Sequence, residues 1–152
     1  MTSRKIVLIG QAPSKTGDPS RPLATDKLAA MCGLTKKQYL GKFRRMNVFD
    51  AWPGKNGKGD VFPLASARVR AMRLVNKLTR KKIIFVGIKT AEAFGFKHAP
   101  LKWRRFNGGA ASILPHPSGI NRWYNDRSNV RQARRFMRTI SKQAKKAARS
   151  DG

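Results

Sequence analysis

Residues 5–14 read Lys-Ile-Val-Leu-Ile-Gly-Gln-Ala-Pro-Ser. The aliphatic run Ile6-Val7-Leu8-Ile9 has no polar residue at alternate positions, so it predicts a strand covered on both faces rather than one with a solvated side. Gly10 ends the run, and the Gly, Pro and Ser content beyond it predicts a loop to about residue 24. Strands buried on both faces belong to parallel sheets sandwiched between helices, and the rest of the chain supplies those helices. "TDKLAAMCGL" (25–34) predicts a short helix with Thr25 as N-cap and Gly33 as its stop. "RRMNVF" (44–49) predicts a second strand, and "DAWPGKNGKGDVFP" (50–63) holds too much Gly and Pro for a regular element, so a long surface loop is expected there. From 63 to 78, Leu64, Ala67, Ala71, Leu74, Val75 and Leu78 recur at helical spacing among arginines and lysines, an amphipathic helix. "KKIIFVGI" (81–88) predicts another buried strand and "KTAEAFGF" (89–96) a short helix. "LKWRRFNGGAASILPHP" (101–117) predicts a strand, a Gly-Gly turn and a last strand. Residues 128–149 predict a terminal basic helix with Ala133, Phe136, Met137 and Ile140 as its apolar stripe. The expected architecture is one domain over 1–152, a three-layer α/β/α sandwich around a central, mostly parallel four-stranded sheet. In such sheets ligands bind beyond the carboxyl ends of the strands. "GQAPS" (10–14) and "LPHPSGINR" (114–122) both fall at such ends.

The charge narrows the partner. Thirty-four Lys and Arg against seven Asp and Glu give a net charge of +27 over 152 residues. That excess repels itself in isolation and calls for a polyanion, with DNA, double- or single-stranded, as the expected partner. A membrane surface would require a long amphipathic face with large apolar anchors, whereas the one long basic helix is rich in alanine. The N-terminal apolar run is too short for a secretory or membrane-spanning segment, so a cytosolic protein, bacterial or in a viral host, is expected. The lone Cys32 excludes an internal disulfide and a cysteine-based zinc or iron-sulfur site, and no cofactor or metal is expected. "GQAPSKTG" does not form a Walker loop, because Ser14 stands where a glycine must precede the Lys-Thr pair and the loop is one residue short.

Four landmarks then fall in order: "GQAPS" after a buried strand, "MNVF" at the end of the second, "IIFVGIKTAEAFG" in the middle, and "HPSGINR" before the last helix. Together they resemble the uracil-DNA glycosylase superfamily over nearly the whole chain. The spacing is most similar to the thermophile-type iron-sulfur branch, whose four cluster cysteines are absent here. The resemblance implies a monomeric, metal-free enzyme that flips a pyrimidine out of DNA, reads its Watson–Crick edge and stabilises it as a departing anion.

On that reading His116, fixed by Pro117, donates a hydrogen bond to the base oxygen where charge accumulates. A loop histidine that caps backbone groups is the plainer alternative. Asn47 carries an amide oxygen and an amide NH2 that match the N3–H and O4 of uracil, and the resemblance implies this base-reading role; by composition an Asn at a strand end is a turn former. Gly10, Ala12, Pro13 and Ser14 form the first wall of the implied pocket. Leu23 stands where relatives have a stacking phenylalanine. Ser14 takes the place of a blocking tyrosine, so 5-substituted pyrimidines are admitted. Neither Gln11 nor Ala12 supplies the carboxylate or Asn that relatives use to activate water. Among the seven carboxylates Asp18 is the first substitute, with Gln11 helping to position the water, and Asp50 is the second. Asp18 read as an Asp-Pro turn residue is the alternative. Ser118 and Gly119 suit a phosphate, Ile120 the wedge that replaces the extruded nucleotide, and Asn121 and Arg122, with Trp123 and Tyr124, further DNA contacts. Lys55 and Lys58 in "KNGKG" suit a phosphate-contacting loop. Two other readings stand beside the enzyme: a catalytically silent DNA-binding member of the same fold, and a basic protein that neutralises nucleic acid.

Overall fold

The protein is described here by a computed structural model, which covers residues 6–11, 25–49, 55–56, 59–60, 63–116 and 122–150. The sheet is built from β1 (Ile6–Gly10), β2 (Phe43–Asn47), β5 (Lys82–Val86), β6 (Arg104–Phe106) and β7 (Gly109–Leu114) in the order β2-β1-β5-β7-β6. The first four strands of that order run parallel; β6 alone is antiparallel, paired with β7. The expected α/β sandwich around a mostly parallel sheet is present, with five strands instead of four.

Two apolar layers explain why the strands show no polar alternation. Ile6 and Leu8 of β1, Ile84 and Val86 of β5 and Leu114 of β7 face one side. They meet Leu28, Ala29 and Cys32 of α1 (Thr25–Cys32), Tyr39 of α2 (Lys36–Lys42), and Ala133, Met137 and Ile140 of α5 (Arg127–Ser150). Val7, Ile9, Ile83, Phe85, Ala111 and Ile113 face the other side, against Ala67 and Ala71 of α3 (Leu64–Leu74) and Ala91 and Ala93 of α4 (Ile88–Ala93). Phe85 anchors that second layer, with the rings of Phe94, Phe96 and Phe106 centred 5.1, 5.4 and 5.4 Å away. These tilted and edge-on pairs suit the aromatic quadrupole.

The differences from expectation are local. Helix α2 was not expected; Thr35 caps it, its hydroxyl accepting from the Gln38 N–H while the Gln38 side chain accepts from the Thr35 N–H, a capping box. The segment expected as a plain loop contains a small antiparallel ladder of β3 (Lys55–Asn56) and β4 (Gly59–Asp60). Strand β5 ends at Val86, two residues before the expected end. Helix α3 tightens into a 3-10 turn over Val75–Leu78. Gly33 does stop α1, in the left-handed conformation at φ +72°. The hairpin between β6 and β7 turns on Asn107-Gly108, both at positive φ (50° and 78°), and not on the Gly-Gly pair. That is the two-residue turn whose twist matches antiparallel strands.

Burial pushes the Cys32 thiol up from 9.0 to about 12, with Lys42 pulling it partly back. In the unfolded chain the thiol ionises near pH 9, so the unfolded state releases a proton that the folded state keeps. This contribution to stability is therefore intact below about pH 9 and is lost as pH rises toward about 12. Cys32→Ala should give a shallower fall of melting temperature across that window than the parent. Tyr39, raised in the same direction mainly by its own burial, leaves a residual slope. Parallel slopes in parent and variant would assign the alkaline loss to other groups.

Candidate active site

The parallel strands deliver their carboxyl ends to one edge of the sheet. Gly10 pairs with Asn47 in register at the ends of β1 and β2. The two segments stay together beyond the strands, the Val48 N–H donating to the Gly10 carbonyl at 3.0 Å and the Phe49 N–H to the Gln11 carbonyl at 2.8 Å. At the ends of β5 and β7 the Gly87 N–H donates to the Leu114 carbonyl at 2.8 Å, and Pro115 and His116 follow. Gly10, Gln11, Asn47 and His116, singled out from separate parts of the sequence, thus share one sheet edge.

Gly87 is what allows the two sides to approach. At φ +103° it occupies backbone space that L side chains rarely adopt. A β-carbon there would lie 3.5 Å from Gln11 Nε2, 3.7 Å from His116 Cβ and 3.7 Å from Thr90 Oγ1. The Gln11 amide and the His116 side chain therefore border the same small space, kept open because Gly87 has no side chain. Thr90 is itself tied down, its hydroxyl donating to the Val86 carbonyl at 3.0 Å.

Asn47 presents the chemically telling atom. Its Oδ1 is buried and has no hydrogen-bond partner among the described residues. A buried acceptor left without a donor costs free energy, so the atom is open to a donor from water or a ligand, as are the equally buried Arg45 Nε and Ser112 Oγ to partners of their own. Asn47 and His116 lie on β2 and after β7, three strand spacings apart across the sheet, about 14 Å. Two side chains with one flat ring between them fill such a span. Arg70 of α3 fixes the exit from β2, its Nε donating to the Val48 carbonyl and its guanidinium lying 5.8 Å from the Phe49 ring centre. Tyr124, in a 3-10 turn over Arg122–Asn125, fixes the other side by donating its hydroxyl to the Pro115 carbonyl. Burial raises the Tyr124 phenol, so it stays protonated and remains a donor. Tyr124 thus holds the residue before His116.

Of the other singled-out residues, Arg122 is exposed at the start of that turn, and Lys55 is placed only as a backbone position in β3. Ala12, Pro13, Ser14, Asp18, Leu23, Asp50, Lys58, Pro117, Ser118, Gly119, Ile120 and Asn121 lie outside the described residues. Asp126 is occupied at the start of α5, its Oδ1 accepting from the Ser128 N–H at 2.8 Å. Two residues of this region were not singled out from the sequence, Gly87 and Arg70, and Tyr124 was singled out only as a DNA contact. Gly87 had a signal, a glycine directly after an apolar strand. Among the described residues no helix is long and apolar enough to cross a membrane. Compared with known protein families and with curated proteins, the chain matches no family model and no curated sequence.

Proposed function

We propose that this chain is a DNA glycosylase that hydrolyses the N-glycosidic bond of uracil or a related, 5-substituted pyrimidine flipped out of DNA. The observation that carries the reading is the buried, partnerless Oδ1 of Asn47 at the same sheet edge as Gln11 and His116. An acceptor there, beside the amide NH2 of the same side chain, matches the N3–H donor and O4 acceptor of uracil. The bond between C1′ and N1 breaks, its electron pair leaves with the base, and the negative charge spreads onto the ring oxygens. His116 stabilises that anion by donating a hydrogen bond to an oxygen, a contact worth more in the transition state than in the ground state. Water adds to C1′, and its proton passes to a carboxylate, for which Asp18 is the candidate with Gln11 orienting the water. The +27 charge holds the phosphate backbone and makes binding fall steeply with salt. The protein acts as a monomer in the cytosol.

One observation favours a second reading. Gln11, whose amide nitrogen borders the space next to His116, offers no base where related enzymes hold a water-activating group. A member of the fold that binds DNA without cutting it would have this feature. End-labelled oligonucleotides carrying one uracil, 5-hydroxymethyluracil or hypoxanthine separate the two after incubation and alkaline cleavage of abasic sites. The enzyme gives strand breaks at a modified pyrimidine, and Asn47→Asp, which replaces the NH2 donor by a second acceptor, reduces them. Intact strands with every base, together with tight salt-sensitive binding, would favour the binder.

A further inference from the structure

Beside β7, α5 and the segment leading into β6 line a groove of about 290 Å³. Its floor is apolar, formed by Leu101, Trp103, Phe136 and Ile140, and its rim carries Gln132 and Arg135. The Trp103 and Phe136 rings are centred 5.8 Å apart and tilted by 31°. Lys82 Nζ sits 4.9 Å from the Trp103 ring centre and donates to Gln143 Oε1 at 3.1 Å.

The segments that line this groove carry charge of one sign. Between residues 61 and 150 the sequence holds only two carboxylates, Glu92 and Asp126, and none lies in 93–125 or 127–150, the segments that form the groove. Lys102, Arg104 and Arg135 are exposed beside it, and Arg131, Arg138 and Lys142 continue the exposed row along α5. An aromatic floor takes the flat face of a base, and a rim of cations takes phosphate. A duplex offers only the second, because its bases are stacked inside. We infer that this groove binds single-stranded nucleic acid, stacking a base against Trp103 and Phe136 while Arg135 and its neighbours hold the backbone. The surface is separate from the site built on Gln11, Asn47 and His116, and the inference does not depend on excision.

The probe is a labelled oligothymidylate without uracil, titrated by fluorescence anisotropy, with inorganic polyphosphate titrated in parallel. Trp103→Leu should weaken oligothymidylate binding roughly tenfold, the loss of one stacked base, and leave polyphosphate binding within about twofold. Arg135→Glu, on an exposed position, should weaken both. Unchanged oligothymidylate affinity in Trp103→Leu, or an equal loss for polyphosphate, overturns the proposal and reduces the groove to a cationic patch. Should Trp103→Leu fail to fold, ultraviolet cross-linking of the parent protein to oligothymidylate decides the matter. A cross-linked peptide containing Trp103 or Phe136 supports the groove, and cross-links confined to other peptides overturn it. Since the readout is binding to a uracil-free strand, failure here leaves the excision assay untouched, and failure there leaves this one untouched.

Discussion

His116→Ala should release uracil from a duplex oligonucleotide two to three orders of magnitude more slowly than the parent in single-turnover assays. The size is that of removing one positioned donor from a site where negative charge develops, about 3 to 4 kcal/mol of barrier. The imidazole stands two residues beyond β7, on a backbone held through the Gly87–Leu114 hydrogen bond and the Tyr124–Pro115 hydrogen bond. Those contacts belong to the main chain of the segment and to Tyr124, so the substitution removes the donor and keeps its platform. His116→Gln, which restores a donor on a longer arm, should recover part of the rate. A parent-like rate in His116→Ala would remove the imidazole from the chemistry, whatever base is excised.

Gly109→Ala should have the largest effect on stability. A β-carbon at Gly109 would lie 2.1 Å from the Lys81 carbonyl oxygen and 2.9 Å from both the Arg80 carbonyl carbon and the Lys81 nitrogen. All three are backbone atoms, so no side chain can swing aside. The Ala110 N–H donates to that same Lys81 carbonyl at 3.2 Å, and relief of the clash pulls the two segments apart and breaks the bond. Overpacking of this kind costs about 3 kcal/mol, which for a domain of this size lowers the melting temperature by roughly 6 to 12 °C. Gly41→Ala is the matching control: it lies within α2, nothing stands within 4 Å of the added carbon, and it should be neutral or slightly stabilising. Thermal unfolding followed by circular dichroism checks both. If Gly109→Ala melts with the parent, the close approach of the 80–81 backbone is not rigid.

The sequence was most readable where one physical rule acts alone. In β1 and β5 the absence of alternation follows directly from burial on two faces, and Gly33 ends α1 because its backbone requirement is local. Helix α2 was less readable. It has seven residues, a glycine at position 41 and one fully buried side chain, Tyr39, so there is no stripe to detect. Its legible mark was the Thr35–Gln38 capping box. Pairs as short as β3 and β4 have no periodicity, and only their partner strand defines them. Gly109 looked like half of a turn because a glycine's local permissiveness and its role in close packing are spelled with the same letter.

At the candidate site, Asn47 and His116 were singled out by the family resemblance, and their places at strand ends fit it. That they share an edge with Gln11 follows from the parallel strands; how far apart they lie along it depends on strand order, which periodicity does not encode. Arg70 shows the limit plainly. Within its helix it is one more cation on a basic face, and its bond to Val48 exists only because α3 packs beside the exit of β2. The same holds for Tyr124, whose partner is nine residues upstream.

The order in which the two apolar layers are completed has a consequence for biosynthesis. Among the described residues, the layer against α3 and α4 has its buried side chains by Ile113, whereas the layer against α1 and α2 waits for Ala133, Met137 and Ile140. On the ribosome, a chain that has emerged only through its last strand carries one closed flank and one open, greasy flank. Synthesis of the final helix both seals that flank and ends the interval in which nascent copies can stick to each other.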